Sequence, residues 1–229
     1  MIEIKGLSKA YGKKQVLEEI DLSLPAGSIV GLLGPNGSGK TTLLKILSGL
    51  EKNFAGSVKI DGKPVSAETK TIVSYLPDRI ALPSWMKAKD TIGLYAEFFA
   101  DFDRARCEGL LHRLGLNFDQ PVKEMSKGIQ ERLQIVLTMC RRARVYLLDE
   151  PLGGVDPATR DVILDVILDN YTEQSVVLLA THLIADVERI FDRVLFLKEK
   201  KIVLAEDVDN IRQSRGKSVD ELFREVFKC

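Results

Sequence analysis

The hydrophobic and polar positions change period along the chain, and each change predicts a new element. Alternation in MIEIKGL and the apolar run SIVGLLG (28–34) predict strands, the second followed by a helix from Lys40 through Leu50. In SVKIDGKPV (57–65) Asp61-Gly62 separates two short β segments, a hairpin signal, and TIVSYLP (71–77) is another apolar strand. Residues 79 to about 143 differ in texture: KDTIGLYAEFFADF, DRARCEGLLHRLGL and SKGIQERLQIVLTMCRRA repeat at helical spacing with no β run between them. This predicts an inserted helical subdomain. VYLLD (145–149), a helix from Pro157 to about Tyr171, VVLLATH (176–182) and the helix ADVERIF restore βαβα order. RVLFLKEKKIVLAE reads as a hairpin. In the closing SVDELFREVF, Ser218 and Glu221 have capping-box spacing, and Val219, Leu222, Phe223, Val226 and Phe227 form a stripe suited to core packing or to self-association.

The expected fold class is therefore α/β, one folded unit with a helical insertion and no internal repeat. At 229 residues and 45% hydrophobic content the chain is long enough to bury a sizeable core. Lys plus Arg number 33 and Asp plus Glu number 33, so no net field draws it to nucleic acid, and no nucleic-acid partner is expected. The apolar runs are too short to cross a bilayer and MIEIKGLSKA lacks a signal-peptide core, which predicts a cytoplasmic protein. Cys107, Cys140 and Cys229 form no CxxC pair and are read as free thiols, with Cys140 buried on a helical stripe.

Two segments carry chemistry. GPNGSGKTT (34–42) fits G-x-x-x-x-G-K-[ST]: Gly34, Pro35, Asn36, Gly37, Ser38, Gly39, Lys40, Thr41 and Thr42 stand between a predicted strand and a predicted helix. In such a loop glycines let backbone N–H groups turn inward, the helix adds its positive end, and the two cradle phosphates. Lys40 would reach the β- and γ-phosphates, and the Thr41 hydroxyl would ligate Mg²⁺. VYLLDEP (145–151) ends an apolar strand in two carboxylates: Asp149 suits the Mg²⁺ beside Thr41, and Glu150 is placed to orient and deprotonate an attacking water. A third segment, MSKGIQER (125–132), is less explicit. Ile129, Leu133, Val136, Leu137 and Cys140 give its helix one apolar face, while Ser126 stands where an N-cap would, with exposed donors around it.

Together these segments resemble the nucleotide-binding subunit of ATP-binding cassette transporters, over nearly the whole chain from Tyr11 to the C-terminal hairpin. The resemblance implies a P-loop NTPase (RecA-like) core at about 1–78 and 144–229, an N-terminal antiparallel β subdomain, and a helical subdomain at about 79–143. It implies hydrolysis of ATP with Mg²⁺, head-to-tail pairing with a second nucleotide-binding subunit, and a separate transmembrane permease that holds the protein on the inner face of the membrane. Residues 125–132 then match the family's signature motif, with Ser126 and the backbone N–H of Gly128 meeting the γ-phosphate held by Lys40 of the facing subunit. Tyr11 matches the aromatic that stacks on adenine, although packing on the hairpin subdomain is an alternative. His182 matches the histidine that senses the γ-phosphate, and Asp156 the loop that crosses the dimer contact, as well as an ordinary N-cap before Pro157.

Two positions depart from the family pattern. Asp78 stands where a glutamine usually touches Mg²⁺ or the attacking water; its carboxylate still suits a hard cation. In the signature, Lys127 replaces a glycine and Ile129 a glutamine, and Lys127 either draws phosphate across the interface or points into water. The MSKGIQ form, the YLPDR segment and the YAEFFADFD helix resemble the bacitracin-resistance and antibiotic-exporter branch. Three other readings are open: a soluble cassette ATPase acting as a clamp, a P-loop kinase or GTPase, which has no use for residues 125–132, and a degenerate nucleotide-binding subunit.

Overall fold

Alternation decides where the cores lie. A computed structural model of the chain describes residues 1–228; Cys229 lies outside the described residues. Its central sheet has six strands in the order β10-β9-β3-β8-β7-β6: β3 (Ser28–Leu33), β6 (Val73–Leu76), β7 (Val145–Asp149), β8 (Val176–Thr181), β9 (Arg193–Lys198) and β10 (Lys201–Asp207). All are parallel except the antiparallel edge strand β10. Successive residues of the buried strands face opposite cores, as a period of two requires. Ile29, Leu33, Tyr146, Leu148, Val177, Leu179, Val194 and Phe196 pack on one side, and Val30, Leu32, Val145, Leu147, Val176, Leu178, Leu195 and Leu197 on the other.

The second side is covered by α1 (Lys40–Leu47) and a four-stranded antiparallel sheet of order β2-β1-β4-β5: β1 (Ile2–Tyr11), β2 (Lys14–Leu24), β4 (Ala55–Ile60) and β5 (Lys63–Pro64). The Asp61-Gly62 hairpin forms as expected, both residues taking the positive φ (55° and 77°) that a tight β-turn of this hand needs. The first side carries α4 (Lys127–Met139), α5 (Pro157–Asn170), α6 (Ile184–Val187), α7 (Val208–Arg215) and α8 (Val219–Phe227). Between β6 and β7 the regular elements are helical: α2 (Ala88–Phe98), α3 (Arg104–Arg113), α4 and one short 3₁₀ turn. Buried Arg141 fastens this segment to β6. It donates to both carboxylate oxygens of Asp101 (3.0 and 3.1 Å) and to the carbonyls of Thr71 (2.8 Å) and Val73 (2.6 Å), and its guanidinium lies 4.0 Å from the Phe99 ring centre.

Several elements depart from the expected ones. β2 is absent from the pattern because its first half does not alternate: Glu19 takes φ 47° and the β1–β2 register shifts nearby, a bulge that breaks the period. α7 buries only Val208 and Ile211, too few for a periodic signal. α1 ends at Leu47 rather than Leu50, closed by Ser48 and Gly49 at φ 71°. In ADVERIF the α-helix ends at Val187 and passes into a 3₁₀ turn. The stripe of α8 packs on the core: Phe223 and Phe227 lie 5.5 and 5.9 Å from Phe196, and Ser218 and Glu221 form the expected capping box. Cys107 and Cys140 are buried free thiols, and contact with Cys140 together with burial pushes the Cys107 thiol up, keeping it protonated.

Candidate functional site

At the carboxyl ends of the parallel strands, β3 runs into the glycine loop and then α1. Gly37 and Gly39 hold φ 79° and 114°. Gly39 needs its left-handed backbone, and a Cβ on Gly34 would lie 2.5 Å from the backbone carbonyl oxygen of Leu197, so both loop ends require glycine. Residues 35–42 line a cleft of about 630 Å³, joined by Lys14, Gln15, Val16, Asp78, Glu150, Glu199 and Lys200. Lys40 is folded into its own loop, its Nζ donating to the carbonyls of Gly34 (2.7 Å) and Pro35 (3.3 Å). Burial lowers its pKa, and the neighbouring Glu150 opposes the change. Ser38 Oγ is buried without a hydrogen-bond partner.

Asp149 and Glu150, adjacent in sequence, meet opposite surroundings. Asp149 is 1% exposed and neither carboxylate oxygen has a hydrogen-bond partner. Burial raises its pKa to about 6, the Thr41 hydroxyl opposing and the charges of Asp78 and Glu150 adding to the rise. A buried, unsatisfied carboxylate beside a threonine hydroxyl fits a hard divalent cation. Among the described residues no group of three or more His, Cys, Asp or Glu side chains is placed to hold a metal alone, so such a cation would take further oxygens from phosphate and water. Tyr75 of β6 extends this buried group. Its hydroxyl also lacks a partner, and burial and then the charge of Asp149 push its pKa up.

Glu150 turns the chain out of β7 at φ 50°, a left-handed conformation costly for a side chain with a Cβ. Its N–H donates to Ala180 of β8 at 2.8 Å, and its carbonyl accepts from Gly153 at 3.0 Å. The turn aims the carboxylate across the cleft, Oε1 3.6 Å from Lys40 Nζ and Oε2 3.0 Å from His182 Nδ1. A carboxylate only accepts, so Nδ1 carries the imidazole proton and Nε2 is left to face solvent or ligand.

The remaining sequence candidates lie elsewhere. Ser126 caps α4, its Oγ accepting from Ile129 N at 3.4 Å, and space is open around Gly128. Neither lines the cleft of its own chain. Asp156 caps α5, accepting from the N–H (3.0 Å) and hydroxyl (2.6 Å) of Thr159. Tyr11 is 47% exposed and Lys9 Nζ lies 4.5 Å over its ring; the ring is off the cleft wall, which the adjoining Lys14–Val16 stretch forms instead. Lys127 lies close over Gly154, in the loop before α5, with Nζ 3.6 Å from Glu131 of its own helix.

The family model for ABC transporters matches residues 17–153, more than half of the chain. The chain belongs to the ABC transporter family. The lantibiotic transport ATP-binding protein SrtF of Streptococcus pyogenes is 29% identical over 97% of this chain and 96% of its own. The manganese transport system ATP-binding protein MntB of Bacillus subtilis (strain 168) is 29% identical over 94% and 92%. A solved ATP-binding subunit of an ABC transporter superposes with a TM-score of 0.89 at 27% identity, over 99% of both chains. As an ABC transporter ATP-binding protein the chain binds and hydrolyses ATP.

Cleft residues in this ABC transporter chain that the sequence did not reveal come from two hairpins. Lys14, Gln15 and Val16 open the irregular strand β2. Glu199 and Lys200 form the β9–β10 turn at φ 47° and 74°, a turn made without the Asn-Gly or Asp-Gly pair that would have marked it. Tyr75 gives no sequence signal at all, being one aromatic in an apolar strand.

Proposed function

We propose that this chain is the ATP-hydrolysing subunit of a transporter, pairing with a second nucleotide-binding subunit around two ATP-Mg²⁺ sites and driving a separate membrane permease. The observation that carries this reading is the division of the site: the phosphate loop and Glu150 line one cleft, Asp149 lies buried beside Thr41 and His182 is held on the Glu150 carboxylate, while the donors of Ser126 and Gly128 stand at the tip of α4 and touch none of these. A helix start carrying a hydroxyl and free N–H groups suits a phosphate presented from outside. Each subunit then supplies what the other's cleft lacks.

Within the cleft, Lys40 would leave the carbonyls of Gly34 and Pro35 for the β- and γ-phosphates, and backbone N–H groups of residues 36–42 would hold the rest of the chain of phosphates. Thr41, Asp149 and Asp78 would hold Mg²⁺, which neutralises triphosphate charge when bound. Glu150 accepts the proton of the attacking water, and His182, its Nδ1 held by Glu150, points Nε2 at the terminal phosphate. Tyr11 reaches adenine by turning off Lys9. Loss of the γ-phosphate removes the anion gripped by α4, and the pair opens.

In the unpaired subunit Lys127 faces largely into solvent, its side chain 70% exposed, with its tip over Gly154 and 3.6 Å from Glu131. On pairing it would swing to the incoming phosphate. Lys127→Gly is expected to flatten the salt dependence of ATP-driven pairing, measured by light scattering over a sodium chloride series; an unchanged slope contradicts the swing.

No helix among the described residues is long and apolar enough to cross a membrane, so the moving part is assigned to a permease. Trp85, 74% exposed next to Met86, offers it an apolar contact. The outward direction rests on the MSKGIQ, YLPDR and YAEFFADFD resemblance, since relatives of equal identity are named for lantibiotic and for manganese transport. Affinity capture from solubilised membranes tests the whole reading. An integral membrane protein is expected to co-purify with the chain and to be lost with Trp85→Glu while ATPase activity stays. Capture of soluble proteins alone would favour the clamp.

A further inference from the structure

The loop that leaves β6 and carries Asp78 has no regular secondary structure, yet it is held from one direction by a single side chain. Gln134, in the middle of α4 and 4% exposed, directs its amide at this loop. Its Oε1 accepts from the N–H of Ala81 at 2.6 Å, and its Nε2 donates to the carbonyls of Pro77 (3.4 Å) and Arg79 (3.3 Å). The three bonds fall on both sides of Asp78, which lines the nucleotide cleft. One turn further along α4, Thr138 Oγ1 donates to the carbonyl of Gln134 (2.8 Å), and the Thr138 carbonyl accepts from Ser74 Oγ of β6 (2.8 Å). The strand, the loop and the helix are thereby joined by side-chain bonds, and Ser126 sits at the start of that same helix.

We propose that Gln134 is a positioning residue that clamps the Asp78 loop to the signature helix, so that Asp78 at one chain's cation side and Ser126 at the facing chain's phosphate side shift together. A short helix is a stiff element, and the amide is the group in it that matches an N–H and two carbonyls at once. An apolar residue of equal length keeps the packing and leaves those three backbone groups without partners. The inference rests on the proposed function where it places Asp78 beside the cation.

The test uses Gln134→Met, Asp78→Ala and the double variant, each in the full chain. Amide exchange of residues 77–82 in nucleotide-free protein reads the clamp directly. It is expected to quicken by about tenfold in Gln134→Met, with residues 127–139 unchanged. Binding of Mn²⁺ to the ATP complex in a Glu150→Gln background, followed by electron paramagnetic resonance, reads the consequence. Asp78→Ala and Gln134→Met should each weaken it by about tenfold, and the double variant by no more than either alone. Unaltered exchange in Gln134→Met overturns the clamp, as does a double variant whose losses multiply, the mark of general loosening. If Asp78→Ala alone leaves Mn²⁺ affinity unchanged, the cation role of Asp78 fails while the exchange result still decides the clamp.

Discussion

Glu150→Gln is expected to lower ATP turnover by about 10²- to 10⁴-fold while leaving ATP affinity within a few-fold of the parent. The amide keeps the shape of the carboxylate, so the strained turn at Glu150 and its bond to Ala180 are preserved. What goes is the proposed proton acceptor. Loss of its charge also removes the partner 3.6 Å from Lys40 and the strong acceptor 3.0 Å from His182 Nδ1. Because the nucleotide is then bound and not consumed, ATP should hold two subunits together, and light scattering should report twice the subunit mass. Turnover within threefold of the parent, or a monomer in saturating ATP, contradicts the assignment.

The second large effect lies one residue earlier. Asp149→Asn should stabilise the nucleotide-free protein at pH 7 to 8. The usual carboxyl value is 3.8 and the folded value is about 6, so between these the folded chain holds a proton that the unfolded chain has released. Stability therefore falls as pH rises through that window, and the loss is complete above it. The gap corresponds to about 3 kcal/mol at neutral pH, and the asparagine variant, which carries no charge, escapes it. For a chain of this size that raises the melting temperature by about 5 to 10 °C at pH 7.5, and the difference from the parent should vanish near pH 4. In return the variant loses stabilisation by Mg²⁺ with ATP and almost all turnover. A melting temperature equal to or below the parent's at pH 7.5 would show that Asp149 is not the desolvated group described here.

These two neighbours show what could be read from sequence and what could not. VYLLDEP announces a buried strand ending in two carboxylates, and the glycine loop between strand and helix announces a phosphate cradle, because both signals are local. The different fates of Asp149 and Glu150 are not local. They arise from a left-handed turn at Glu150 and from the burial of β7 between β6 and β8. The hairpin at Asp61-Gly62 was legible because its turn demands positive φ at both residues; β2 was not, since a bulge at Glu19 breaks the alternation that identifies a strand. Gln134 bonds to a loop dozens of residues distant and Tyr75 meets Asp149 only in the fold, and no spacing within their own elements hints at either. The helix at MSKGIQER shows its cap and apolar face in sequence, whereas the use proposed for it calls on a second subunit.

The most direct measurement is therefore the structure of the Glu150→Gln variant with ATP and Mg²⁺. Ser126 Oγ and the Gly128 N–H of one subunit should lie about 3 Å from the terminal phosphate held by Lys40 of the other. Residues 126–128 remote from every terminal phosphate, in any packing, would contradict a site shared between subunits.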